Sequence, residues 1–306
     1  MTRPIIAVLG GSGQLGTDLV EVLRQDVRFD VVAFSRGQLD VTDAQAVGRE
    51  IVAGRFEAVI DTAAITNVDW CEENGAEAME VNATGAYLVA RACREAGSRN
   101  VFVSTDFVFD GEKEGPYDEA DEPRPINIYG ASKLVGERVA QIAAPDSLIV
   151  RISSVFGKAG SRGKGGNFVE TILERARANQ PLRVVDDTVM SPSYTMHVAR
   201  ALADLLATGA TGLVHLSNRG SCSWFEFASR ALELAGIDAD ITAVGSSEFA
   251  RAARRPSNST LESARLKGLI GREMPHWLDA LEEYLQEKGY LVNETVGEAF
   301  ASEDPS

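Results

Sequence analysis

The chain has 306 residues, 44% of them hydrophobic, and a formal net charge of −15 at pH 7. That length can bury one extended domain or a domain with an appendage, while the acidic balance argues against a nucleic-acid partner, which needs a basic footprint. No run reads as a membrane span or signal peptide, and Cys71, Cys93 and Cys222 are odd in number and lack metal-ligand spacing, so they read as reduced thiols of a cytoplasmic protein.

The first apolar run, residues 5–9, leads into GGSGQLG at 10–16 and then into a helical stripe of Leu15, Leu19, Val22 and Leu23. A buried strand ending in glycines can turn tightly into a helix whose N–H groups and positive dipole end face a pyrophosphate. Gly10, Gly13 and Gly16 carry that turn, with Gln14 and Leu15 between the last two. A side chain at Gly10 or Gly13 would block the ligand. The pattern parses in two registers and is weak alone; the strand before it and the helix after it give it weight.

Short apolar runs at 31–34, 58–60, 101–104 and 147–152 alternate with helical stretches such as 83–96. That order predicts an α/β, Rossmann-like fold with a doubly wound parallel sheet. Beyond Phe156 come a Gly/Lys/Arg loop at 158–166, a helix at 167–178, a strand at 182–185, a helix at 197–206, a strand at 213–217 and a helix at 224–235. The expected organisation is a dinucleotide-binding domain over 1–157 with returning elements at about 186–220, and a smaller C-terminal substrate-binding lobe built from about 158–185 and 221–290. Residues 291–306 read as an acidic tail.

The second predicted strand ends at Phe34 and is followed by Ser35 and Arg36, where an acidic residue would hold the ribose hydroxyls of NAD. A hydroxyl and a guanidinium suit a 2′-phosphate, with no carboxylate there to repel it. NADPH is therefore the expected cofactor, with NADH still open. Asp40 and Val41, within LDVTD at 39–43, would lie near the adenine.

Ser104, Thr105 and Asp106 close the fourth predicted strand at its carboxyl end, where ligands bind in open α/β sheets. YGASK at 129–133 opens a helix, and its i,i+4 spacing puts the Tyr129 phenol and the Lys133 ammonium on one face. A lysine close to a tyrosine stabilises the phenolate and lowers its pKa toward neutrality. Arg251, Arg254 and Arg255 form one basic island, and Lys158, Arg162 and Lys164 another. Both suit a diphosphate, and both also read as solvated charge. His197, His215 and His276 are dispersed, so no metal site is expected; Trp70, Trp224 and Trp277 read as packing residues.

With DTAAITNVD at 61–69, VNATG at 81–85, STDFVFDG at 104–111 and RRPSNS at 254–259 added to these strings, the chain resembles an extended short-chain dehydrogenase/reductase. More narrowly, it is similar to the dTDP-4-dehydrorhamnose reductase family, over nearly its whole length. The resemblance implies reduction of the C4 ketone of a nucleotide-linked 4-keto-6-deoxyhexose, taking dTDP-4-dehydro-L-rhamnose to dTDP-L-rhamnose. Tyr129 would protonate the oxygen, Thr105 would hydrogen-bond it, and Lys133 would bind the nicotinamide ribose. Ala63, Ala64 and Thr66 would line the cofactor. Around the sugar and its carrier the resemblance places Val68, Asp106, Phe107 and Ser154, with Asn167, Phe168, Arg255 and Asn258 further out.

Four positions depart from the family pattern: Ser154 for a tryptophan, Phe107 for a tyrosine, MSPS at 190–193 for Gly-x-Pro-Thr, and Asp61 for an asparagine. They leave open another keto-sugar or carbonyl substrate. An epimerase that retains NAD and a non-catalytic subunit like the β subunit of methionine adenosyltransferase also stay open. A homodimer is compatible with the resemblance.

Overall fold

Six parallel strands form the central sheet of the computed structural model, which describes residues 2–160 and 166–291. The strands in chain order are β1 Ile5–Leu9, β2 Asp30–Phe34, β3 Ala58–Asp61, β4 Arg99–Thr105, β5 Leu148–Ile152, β6 Val155–Phe156, β7 Leu182–Val185, β8 Val189–Met190, β9 Ser193–Tyr194, β10 Gly212–His215, β11 Cys222–Ser223 and β12 Ile241–Val244. The helices are α1 Gln14–Gln25, α2 Ala44–Gly54, α3 Val68–Glu73, α4 Gly75–Met79, α5 Ala86–Ala96, α6 Ile128–Ala143, α7 Phe168–Arg177, α8 Thr195–Thr208, α9 Trp224–Leu234, α10 Leu266–Ile270 and α11 Trp277–Glu287.

The sheet order is β10-β5-β4-β3-β1-β2. Because helices cover both faces, the inner strands are apolar almost without interruption, as parallel sheets require; every residue of β3 is buried. Leu19 and Leu23 of α1 meet Leu202 and Leu205 of α8 on one face, and Val47, Ile51, Val89 and Cys93 of α2 and α5 cover the other. The chain leaves β1 outward to β2 and then returns to β3 on β1's other side. That reversal opens a crevice at the carboxyl ends of β1 and β3.

The turn after β1 is shaped by close approach. Gly10 has φ +73°, and a Cβ there would come within 2.7 Å of the Thr62 hydroxyl; one at Gly16 would sit 2.2 Å from the Gly10 carbonyl oxygen. Glycine alone fits both demands. Gly13 caps α1 without a side chain, so the first-turn N–H groups face the crevice uncapped.

A second core gathers Phe156, Leu173, Tyr194, Phe227, Trp277 and Tyr284 from α7, α9, α11 and the short strands around them. The pairs β6·β9, β8·β11 and β7·β12 belong to this half. From within it the chain returns: α8 packs on α1, and β10 completes the sheet beside β5.

Two local expectations differ. The helix expected at 83–96 opens with a π-helical turn, Glu80–Gly85, where Gly85 presses on Val41; a Cβ there would lie 2.8 Å from its side chain. Trp70 is 37% exposed and so does not fill a core, whereas Trp277 is buried and Trp224 packs edge-on against Phe168. The tail beyond Leu291 lies outside the described residues. All three cysteines are buried thiols.

Candidate active site

Three side chains with acid–base or hydrogen-bonding capacity converge at the carboxyl edge of β4. Thr105 ends that strand and caps the following 3-10 turn, its hydroxyl accepting the Phe107 N–H at 3.2 Å and donating to Asp106 Oδ1 at 2.9 Å. Asp106 is held from the far side by the Ser153 hydroxyl at 2.8 Å. Asn127 caps α6 through the Gly130 N–H, which sets Tyr129 and Lys133 on the first turns. Phe107 meets the Tyr129 ring edge to face at 5.8 Å. Val68, Cys71 and Ala253 complete the apolar wall around that phenol.

Burial pushes the Tyr129 phenol above the ordinary tyrosine range, against a hydrogen bond with Thr105 and with the help of the Asp106 charge. The expectation that Lys133 draws this pKa toward neutrality is therefore corrected: desolvation of the phenolate dominates. Lys133 is equally buried, and desolvation lowers its ammonium to about 8, opposed by the charges of Asp61 and Glu137. Among the described residues it makes no hydrogen bond or ion pair; its Nζ sits 4.0 Å over the Phe102 ring.

On the cofactor side, the glycine turn faces the 62–67 loop, which carries Ala63, Ala64 and Thr66, all half-buried. Asn82 fastens that loop, its amide accepting the Ile65 N–H at 2.9 Å and donating to the Ile65 carbonyl and to the Ser132 hydroxyl. Ser35 is tied to Gln38 at 2.7 Å. Arg36 projects with 82% of its side chain exposed, but a carboxylate does accompany it: Asp40 Oδ2 lies 3.8 Å away. In the LDVTD string Leu39 and Val41 turn inward, while Asp40, Thr42 and Asp43 stay partly or fully exposed. Asp40 accepts from the Thr42 hydroxyl, Val41 is buried against Gly85, and Asp43 caps α2. Leu15 likewise points into the core, and the Gln14 amide donates to the Val155 carbonyl at 3.1 Å.

The substrate side brings more corrections. Asn167 spends its whole amide on the protein, donating to the Gly157 carbonyl and the Tyr284 hydroxyl while its oxygen caps α7. Asn258 donates to the Lys113 and Gly115 carbonyls and accepts from Thr260. Both hold loops, and their side chains are not left to a ligand. Phe168 packs between Trp224 and Phe227. Arg255 is clamped bidentate on Asp69, at 3.0 and 2.6 Å, and holds that carboxyl down at about 2. Lys158 is paired with Glu287 of α11, while Arg162 and Lys164 lie outside the described residues. Arg251 stacks over Phe249 at 5.5 Å. Ser154 stands between β5 and β6 with φ +41°, an uncommon conformation for a residue with a Cβ.

Sequence reasoning missed the buried charges beneath the site. Glu137 lies one turn beyond Lys133 on α6 and takes a bidentate pair from Arg151 of β5, at 2.8 and 2.7 Å, plus the Ser104 hydroxyl of β4. The i,i+4 spacing of Lys133 and Glu137 was the available signal.

With this geometry established, four similarities bear on it. The family model for the RmlD substrate binding domain matches residues 4–289. The chain is 38% identical over 283 residues to the spore coat polysaccharide biosynthesis protein SpsK of Bacillus subtilis, covering 92% of this chain and 97% of that one. It is also 38% identical over 284 residues to the dTDP-4-dehydrorhamnose reductase of Mycobacterium tuberculosis, covering 90% of each. Among solved structures, the dTDP-4-dehydrorhamnose reductase of Bacillus anthracis, in complex with NADP, superposes with a TM-score of 0.89 at 35% identity, covering 94% of this chain and all of that one. A Rossmann-type sheet, a glycine turn at its switch point and a Thr-Tyr-Lys cluster beside it, in a chain matched over residues 4–289, place the protein in the RmlD family, that of the dTDP-4-dehydrorhamnose reductases.

Proposed function

We infer that the protein is an NADPH-dependent oxidoreductase that reduces the C4 ketone of dTDP-4-dehydro-L-rhamnose. The observation that carries this reading is the meeting of Thr105, Tyr129 and Lys133 at the carboxyl end of β4, beside the glycine turn of β1, in a chain of the reductase family. The turn fits a dinucleotide: Gly10 and Gly13 leave room that a Cβ would fill, and the uncapped start of α1 offers N–H donors to a diphosphate. When bound there, the cofactor supplies the hydride.

The chain's own residues supply the rest. Tyr129 offers its hydroxyl to the substrate's carbonyl oxygen and gives up its proton as negative charge develops there, and Thr105 joins it when its own hydroxyl turns from Asp106. A phenol raised by burial stays protonated through neutral pH, which suits a donor. Lys133 presents its ammonium to the ribose and places positive charge near the phenolate left behind. Arg36, on an exposed turn, is the side chain free to swing from Asp40 to a 2′-phosphate. Phe107, Val68 and Ser154 line the sugar side. We assign the central-sheet half, β1 to β5 with their helices and the returning α8 and β10, to the cofactor, and the second core, which takes in β6, β8 and β9, to the nucleotide-sugar. A cytoplasmic homodimer is part of the same proposal.

The test is oxidation of NADPH and of NADH by purified protein with dTDP-4-dehydro-L-rhamnose, against a control without sugar. Sugar-dependent oxidation, faster with NADPH, is expected; binding of NADPH without turnover of this sugar would overturn the reading in favour of another carbonyl substrate, marked by Ser154 and Phe107, or of a binding subunit.

A further inference from the structure

Asp61 ends β3 in full burial, with 2% of its surface exposed. Its carboxylate accepts one hydrogen bond, from the Ala63 N–H at 3.0 Å. In the parallel register, Asp61 lies directly beside Phe102 of β4, so the two side chains share the sheet face covered by α5 and α6. The Lys133 ammonium sits 4.0 Å over that same Phe102 ring. Gly136 of α6 closes the space from above, since a Cβ there would lie 2.7 Å from the ring. The register thus brings a buried carboxylate, an aromatic face and a buried ammonium together.

The other charges around Lys133 are already matched. Glu137 is neutralised by the bidentate Arg151 pair and the Ser104 hydroxyl. Tyr129 is a neutral phenol, and Cys93 of α5, which feels the Asp61 charge, is held as a neutral thiol by burial. Asp106 is turned to Thr105 and Ser153, and Cys71 faces the Tyr129 side of the site. Of the two carboxylates whose charge favours the Lys133 ammonium, Asp61 and Glu137, Asp61 acts more strongly and has no cation paired to it among the described residues. A buried ammonium without a hydrogen-bonded partner loses its proton readily, because burial disfavours the charged form.

We propose that Asp61 is a positioning residue for the reaction: its carboxylate keeps Lys133 as an ammonium seated on the Phe102 ring, and the pair bounds the pH range in which the site works. This rests on the reductase reading for its consequence but not for the coupling itself. Burial lifts Asp61 to about 6, against the attraction of Lys133, and lowers Lys133 to about 8, against the attraction of Asp61. Between those limits both groups are charged. Below the lower limit Asp61 takes a proton and Lys133 loses its counter-charge; above the upper limit the ammonium is gone. The two titrations belong to the pair, and the ring's attraction for Lys133 vanishes with the charge.

The experiment follows the Nζ resonance of Lys133 through pH by NMR in 15N-lysine-labelled full-length protein without cofactor, assigned with Lys133→Arg. In the unaltered chain the resonance is expected to show a second inflection where Asp61 titrates, near 6. In Asp61→Asn, which keeps an acceptor for Ala63 and removes only the charge, that inflection disappears and the main titration moves down by roughly one unit or more. In parallel, kcat/KM for the keto-sugar loses its acid limb and its alkaline limb moves the same way. A Lys133 titration with a single inflection in the unaltered chain, or one unmoved by Asp61→Asn, overturns the proposal. The unaltered-chain result stands even where the variant does not fold. Coupled titrations in a protein that reduces no keto-sugar would sustain the Asp61–Lys133 coupling and overturn the reductase reading instead.

Discussion

The β4 edge and the C-terminal lobe were both expected to offer polar side chains to ligands, and they use those side chains in opposite ways. At the β4 edge, Lys133 is buried without a hydrogen bond among the described residues, and Tyr129 is surrounded by apolar groups. In the lobe and its junction, Asn167, Asn258, Arg255 and Lys158 are spent on carbonyls, carboxylates and a phenol of the protein itself. Burial disfavours the charged form of an ionisable group, and it lowers Lys133 to about 8 while it raises Tyr129. The contrast separates residues held ready for chemistry from residues that hold the loops in place.

Substitutions break the contrast from either side. The largest effect is expected for Tyr129→Phe: kcat should fall by about 10²–10⁴, the usual worth of a positioned proton donor, while NADPH binding measured by fluorescence titration stays intact. Unchanged turnover would remove Tyr129 from its role. Asn167→Ala should act on stability instead. It strips the cap of α7 and leaves the Gly157 carbonyl and Tyr284 hydroxyl without their donor, a loss of about 2–3 kcal/mol in denaturant titration, with kcat/KM nearly preserved in the folded fraction. A selective loss of sugar affinity there would return Asn167 to the ligand. Smallest is Arg36→Ala, which should weaken NADPH about tenfold, the worth of one charge-assisted phosphate contact, and leave NADH and folding unaffected. Equal loss for both cofactors would move the 2′-phosphate elsewhere.

Legibility in the sequence followed locality. GGSGQLG could be read because strand, turn and helix are contiguous, and the tightness that demands glycine arises within seven residues and the adjoining Thr62. YGASK could be read because one helical turn decides which side chains share a face. The LDVTD string shows what locality leaves out: distant contacts set which of its side chains turn inward. Asp43 is a helix cap, and Val41 answers to Gly85, more than forty positions away. The asparagines misled for a related reason: an amide announces hydrogen-bonding capacity, and only distant residues such as Tyr284 and Lys113 decide whether that capacity is already used.

By itself, the sequence determined the alternation of strands and helices, the nucleotide turn and the Tyr-Lys pair, since these depend on periodicity and near-neighbour sterics. Only the tertiary structure decided the electrostatics of the site. The parallel register of β3 and β4 places Asp61 beside Phe102, and α6 lowers Lys133 onto that ring, within reach of the Asp61 charge. A charge's environment is the sum of groups brought in from several strands and helices, and no local pattern records that sum.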